Sequence, residues 1–259
     1  MKNFFWGLVI IGGVFGVLVP GFYFNASSNL PSPLANRQQL LLLMRMQVES
    51  ERMKVALGLP PKERGFVNWP DPELSRFPAD FTALFLSQNG CASFLRAAPE
   101  KKSRWAVRVL RAAWGLGGDA GVAGRCKLLF ASSIATRLGV TGTLETALAT
   151  YRVGNLLDHQ ELVAWELTTV HFENGLVGVD QVLSRLYKRP LAEMNLAELA
   201  EAVLVAPPNA YLDEIRHCKN PPLIRRARDT VLQQFAADGL VTEAQSNAAQ
   251  QADVACMGR

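Results

Sequence analysis

Residues 150–211, TYRVGNLLDHQELVAWELTTVHFENGLVGVDQVLSRLYKRPLAEMNLAELAEAVLVAPPNAY, decide the fold. Asp158-x-x-Glu161 and Asn195-x-x-Glu198 each precede an apolar run. Both have the spacing of a capping box, in which a short polar side chain satisfies a free backbone N–H at a helix start. Asp158, Glu161 and Glu198 are therefore read as caps rather than catalysts. No convincing period-2 alternation interrupts the pattern. Working outward, Thr242-x-x-Gln245 opens a last helix by the same device. The chain reads as nearly all helical from Asp80 to its end, so the fold class is mostly α.

On the N-terminal side, residues 36–58 carry a helical pattern that stops at Gly58 before Pro60-Pro61. Residues 25–33 (NASSNLPSP) read as a flexible linker. Phe4 to Phe24 run 21 positions without a charge. At about 1.5 Å per residue that length covers a hydrocarbon core of about 30 Å. Lys2 precedes this run and the next basic residue is Arg37. That asymmetry predicts an anchor with its N-terminus in the cytoplasm and the rest of the chain outside. A cleaved signal peptide is the competing reading, disfavoured by the length of the run and the lack of an A-x-A site. The expected organisation is an anchor over 1–25, a linker and juxtamembrane helix over 26–74, and a folded domain over 75–259. A single-pass protein of the cytoplasmic (inner) membrane, with its domain on the periplasmic side, is the expected placement.

The 259 residues are 49% hydrophobic and 19% charged, which excludes disorder and fibrous repeats. A formal charge of +4 favours anionic surfaces without choosing among them. Three histidines and no CxxC or HExxH spacing argue against a metal site. No GxSxG, P-loop or dinucleotide fingerprint is present, and S-x-x-K and K-T-G are absent. Cys91, Cys126, Cys218 and Cys256 allow three connectivities. Proximity in sequence favours Cys218–Cys256. Residues 96–114 (RAAPEKKSRWAVRVLRAAW) hold six basic residues and one acid. Arg104, Arg108 and Arg111 share one helical face, and Val107, Leu110 and Trp114 another. With Trp105, they make up a helix suited to lie in a membrane interface. The alternative is an amphipathic helix against the core.

Gly178-Val179, Tyr187-Lys188-Arg189, Leu196, Glu198, Ala200 and Pro207-Pro208 follow one linear pattern. Arg225 to Leu232 and Asp238-Gly239-Leu240-Val241-Thr242-Glu243-Ala244 continue it. Over about residues 75–250 the chain resembles the peptidoglycan glycosyltransferases of family 51, the monofunctional transglycosylases and the polymerase domains of class A penicillin-binding proteins. The resemblance implies a helical, lysozyme-like domain behind one N-terminal membrane helix. It implies polymerisation of lipid II on the outer face of the membrane, where a carboxylate deprotonates the acceptor hydroxyl. A basic cluster would hold the pyrophosphate, with a divalent cation only in active members. Nucleic acid is not an implied partner. The bilayer, lipid II or a glycan strand, and another envelope protein are.

The chemical motifs depart from the family. Its E-D-x-x-F-x-x-H falls on Gln88-Asn89, with Ala92 and Leu95 at the aromatic and histidine positions. An amide cannot accept a proton near neutral pH, so general-base catalysis, worth about 10²–10⁴-fold, should be lost. G-G-S-T-I-T-Q-Q-x-A-K-N falls on Gly117 to Leu128, keeping the glycines and Lys127 and losing both glutamines. R-K-x-x-E puts Thr146 at its glutamate, with Glu145 one residue earlier and so turned about 100° away on a helix. Thr168, Ala164 and Glu173 replace further family residues. The remaining cations expected near a phosphate are Lys127, Arg125 and Arg152. The leading expectation is a pseudoenzyme that binds lipid II, glycan or an envelope partner. An active transferase using Glu145 or Asp119 as a displaced carboxylate, and a purely structural component of an envelope assembly, are the alternatives.

Overall fold

The computed structural model describes residues 34, 36–46, 73–116, 121–140, 142–170, 178–206 and 212–255. Among these residues every regular element is a helix, as the sequence predicts. The expected anchor over Phe4–Phe24 lies outside the described residues. No helix among those described is long and apolar enough to cross a membrane.

Ten helices are used below: α1 (Ala79–Gln88), α2 (Lys102–Ala113), α3 (Val122–Arg137), α4 (Thr143–Leu156), α5 (His159–Thr169), α6 (Val179–Tyr187), α7 (Leu196–Val205), α8 (Leu212–His217), α9 (Pro221–Ala237) and α10 (Glu243–Gln251). All three predicted capping boxes form. Asp158 accepts from the Glu161 N–H and Glu161 returns a bond to the Asp158 N–H. Asn195 with Glu198, and Thr242 with Gln245, do the same at α7 and α10. Asn220 caps α9 by accepting from Leu223 N–H, with Pro221 at the first helical position, where a missing N–H costs nothing.

Helix α3 is central to the first half and packs against α2, α4 and α5. Its buried face runs through Gly124, Cys126, Lys127, Phe130, Ala131, Ile134 and Ala135. Helices α1, α7, α9 and α10 form the second group. An aromatic file joins the two: Phe85 of α1 stacks on Phe130 at 6.1 Å, Phe130 meets Phe94 at 5.5 Å, and Phe94 meets His159 at 4.3 Å. Residues 37–46 are helical and belong to the same core, because Leu40, Leu41 and Met44 are buried. Arg37 pairs there with Glu161. The hydrophobic core therefore reaches back beyond the expected boundary at residue 75.

The second group contains a fully buried ion pair. Arg228 of α9 and Glu201 of α7 are both 0% exposed. Arg228 also bonds Asp229 and the carbonyls of Gln250 and Ala252, and Glu201 accepts from the Ala255 N–H. A buried charge needs this degree of pairing to be tolerated. The arrangement fixes the segment after α10 to the α7–α9 seam.

Candidate functional site

Gln88, which the sequence reading set at the resembled family's first carboxylate, ends α1 and is exposed. Asn89 turns inward and donates from Nδ2 to the Phe85 carbonyl at 2.9 Å, closing the helix end. Ser87 donates to Asp238 beyond α9. Three residues past Gln88, Cys91 is bonded to Cys126 of α3. The disulfide thus ties the segment after α1 to α3. It is the bond that the favoured Cys218–Cys256 pairing entails, since that pairing leaves Cys91 and Cys126 to each other. Cys218 is disulfide-bonded as well; Cys256 lies outside the described residues.

Lys127 follows Cys126 and is only 7% exposed. Its Nζ lies 4.6 Å from the centre of the Trp105 ring, a cation–π arrangement that strengthens when shielded from water. Trp105 is fully buried. Its Nε1 donates to the Tyr151 carbonyl at 3.0 Å, and its ring lies so close to Gly154 that a Cβ there would come within 2.5 Å of it. Beside Lys127, Arg108 donates from Nη2 and Nε to Glu100 at 2.7 and 3.3 Å. The Arg108 guanidinium lies against Gly124, where a Cβ would collide with it. Burial pushes the Lys127 ammonium below the usual lysine range, against an opposing pull from Glu100, and Arg108 lowers it further. His159 is lowered chiefly by burial and then by Lys127, while Asp158 and a backbone bond to Phe94 act the other way.

The expected phosphate cluster is divided among environments. Lys127 is buried, Arg125 two residues earlier is exposed, and Arg152 is half-buried on α4. Two positions on a helix differ by about 200°, so Lys127 and Arg125 present opposite faces. The described contact of Lys127 is instead the Trp105 ring, with Glu100 and Arg108 as the charges acting on it. Sequence reading passed over Glu100, although one signal was available: it is the lone acid in the basic run 96–114.

Thr146 lines a cleft of about 490 Å³ between α2, α3 and α4. Val109, Ala113, Leu128, Ser132 and Thr150 contribute to the walls, and among the described residues no Asp or Glu does. Glu145 is not among the lining residues, although Gly142 beneath its carboxyl is. Its carboxyl folds back over Gly142 at the start of α4, where a negative charge suits the positive end of the helix dipole. Asp119 lies outside the described residues.

Helix α2 is oriented by Trp105 and Val109, which point into the core. Trp105 is therefore not an interfacial side chain, and Arg108 is drawn in by Glu100, with 16% of its side chain exposed. Arg104 and Arg111 remain on the surface. Val107, Leu110 and Trp114 face outward at 57%, 44% and 67% exposure. The apolar stripe of α2 thus faces away from the core, the reverse of an ordinary packed amphipathic helix.

A second buried acid, Glu166 of α5, accepts from Arg137 Nη2 at 2.5 Å and from Ser133 at 3.2 Å, while its Oε2 has no partner among the described residues. Among the described residues no group of three or more His, Cys, Asp and Glu could hold a metal ion. The chain matches no family model and no curated protein.

Proposed function

We propose that the chain is a membrane-anchored, extracytoplasmic, family-51-like glycosyltransferase domain that does not polymerise glycan and instead acts by binding lipid II, glycan or an envelope partner. The observation that carries this reading is the cleft at Thr146, whose lining holds no carboxylate among the described residues. Deprotonating an acceptor hydroxyl needs a base within hydrogen-bond reach. Gln88 cannot serve as one, and Glu145 is not among the residues that line the cleft, its carboxyl lying over Gly142. Glu145 therefore gives little support to an active enzyme with a displaced acid.

The outward stripe of Val107, Leu110 and Trp114 supports membrane contact, with Lys101, Lys102, Arg104 and Arg111 exposed around it. Apolar side chains flanked by surface cations suit the boundary between acyl chains and anionic headgroups. A lipid II polymerisation assay tests the proposal. The full chain in detergent or nanodiscs should form no polymer, while the Gln88→Glu and Gln88→Glu/Thr146→Glu variants report whether returning acids returns turnover. Polymer formed by the unaltered chain would end the proposal.

A further inference from the structure

We propose that the cleft at Thr146 takes the ester region of a bilayer phospholipid, its ester carbonyls accepting from the hydroxyls of Thr146 and Thr150 and its upper acyl chain lying against Val109, Ala113 and Leu128. This rests on the reading of the α2 stripe as a membrane contact, and names what that contact would draw from the bilayer.

Elsewhere in the described helices, threonine hydroxyls turn to their own backbone. Thr136, Thr168, Thr169 and Thr230 each donate to the carbonyl four residues earlier, the local bond such a side chain finds inside a helix. Thr146 and Thr150 of α4 have the same choice and make no side-chain hydrogen bond among the described residues. Thr150 is only 2% exposed, and both threonines line the cleft. A shielded hydroxyl without a partner is costly, so these two donors call for an acceptor from outside the chain. They lie four positions apart, about 6 Å along the helix axis. Two ester groups on one glycerol can span that spacing.

The rest of the lining selects the chemical class. Among the described residues it holds no charged, amide or aromatic side chain. A phosphate would find no cation there, and a sugar would find neither a flat ring to stack on nor an amide or carboxylate for its hydroxyls. Ser132 already donates to the Leu129 carbonyl. What remains is a wall of methyl groups from Val109, Ala113, Leu128 and Ala147 facing the hydroxyls of α4. That pairing suits an aliphatic chain carrying an uncharged acceptor, which an acyl ester is. The volume of about 490 Å³ falls within the range of about 300–1,000 Å³ of small-ligand sites. It accommodates the ester region and the start of a chain rather than a whole lipid. Apolar surface flanks the cleft on two helices: Leu110 and Trp114 follow its α2 wall, and Leu129, 45% exposed, adjoins Leu128 on α3.

The test is native mass spectrometry of the full chain released from an ester-free detergent, with equal amounts of diacyl phosphatidylcholine and the dialkyl ether lipid of the same chain length. The two lipids differ only in their carbonyls, and their masses separate them. The ester complex is expected to exceed the ether complex at least about fivefold, the effect of one net hydrogen bond. Thr146→Val/Thr150→Val keeps the shape of the wall without its donors and should bring the two complexes to equal abundance. Thr146→Trp fills the cleft and should remove most of both. Near-UV circular dichroism checks that the variants fold, and the ratio on the parent needs no variant. Equal complexes on the parent, or no lipid complex at all, would overturn the proposal. An ester preference that survives the double valine variant would overturn it too. The membrane contact is read separately, as quenching of Trp114 emission by brominated lipid in nanodiscs, taken from the difference between the parent and Trp114→Phe. Quenching together with equal complexes would remove the cleft ligand and leave the contact standing. Absence of quenching would remove the contact and, with it, the delivery of lipid to the cleft.

Discussion

Replacing both Cys91 and Cys126 by alanine should destabilise the protein substantially and in one region. The bond closes a loop with a sequence separation of 35. In the chain-entropy treatment, a loop of that length restricts the unfolded chain by about 4 kcal/mol at 25 °C, within an observed range of about 0–5. Both residues are buried, at 1% and 3% exposure, so loss of the sulfurs leaves small voids that add to the cost. For a chain of this size each kcal/mol lowers Tm by about 2–4 °C, giving an expected fall of about 8–16 °C. Differential scanning calorimetry measures the fall. Hydrogen exchange then locates it: protection should drop first in α2, which lies inside the loop, while α7, α9 and α10 keep theirs. The double alanine variant is preferable to chemical reduction, which would also open the bridge at Cys218. A Tm lowered by less than about 3 °C, or protection lost evenly across the molecule, would refute the reasoning.

Glu201→Gln leaves Arg228 with Asp229 as its nearest carboxylate, 26% exposed. Breaking a buried pair costs about 3–5 kcal/mol, and Asp229 places this case near the lower end; urea titration measures it. His159 titrates below its usual 6.5 in the folded protein. Between that lowered value and 6.5 the unfolded chain binds more protons, so stability rises with pH across this interval and is lost as pH falls through it. Denaturation midpoints across mildly acidic pH should therefore slope upward in the parent and be flatter in His159→Gln. Gly154→Ala gains helix propensity of up to about 1 kcal/mol but places a Cβ against the Trp105 ring. Overpacking of about 1–3 kcal/mol should prevail, seen as a lower Tm with an altered near-UV indole signal.

Three helix starts were legible, because a capping box is a local device: Asp158, Asn195 and Thr242 each bond within their own first turn. The orientation of α2 was not. Trp105 and Val109 form one apolar pair at i,i+4, while Val107, Leu110 and Trp114 form another stripe. Only the hole over Gly154 and the Tyr151 carbonyl decide which of the two turns inward. Those groups are about fifty residues away in sequence. Arg108 was misplaced on the same ground: a helical wheel assigns a basic side chain to water unless a distant carboxylate draws it in. Cysteine pairing agrees with the sequence reading as far as it is described: leaning towards Cys218–Cys256 leaves Cys91 and Cys126 to each other.

Because Cys91 and Cys126 bracket the whole of α2, one cut by a protease anywhere between them would leave the polypeptide in a single piece. The nick would pass unnoticed on a gel run without thiol and would separate into two bands once mercaptoethanol is added. Preparations intended for lipid work therefore need both gels, since damage to the stripe of α2 would otherwise be mistaken for intact protein.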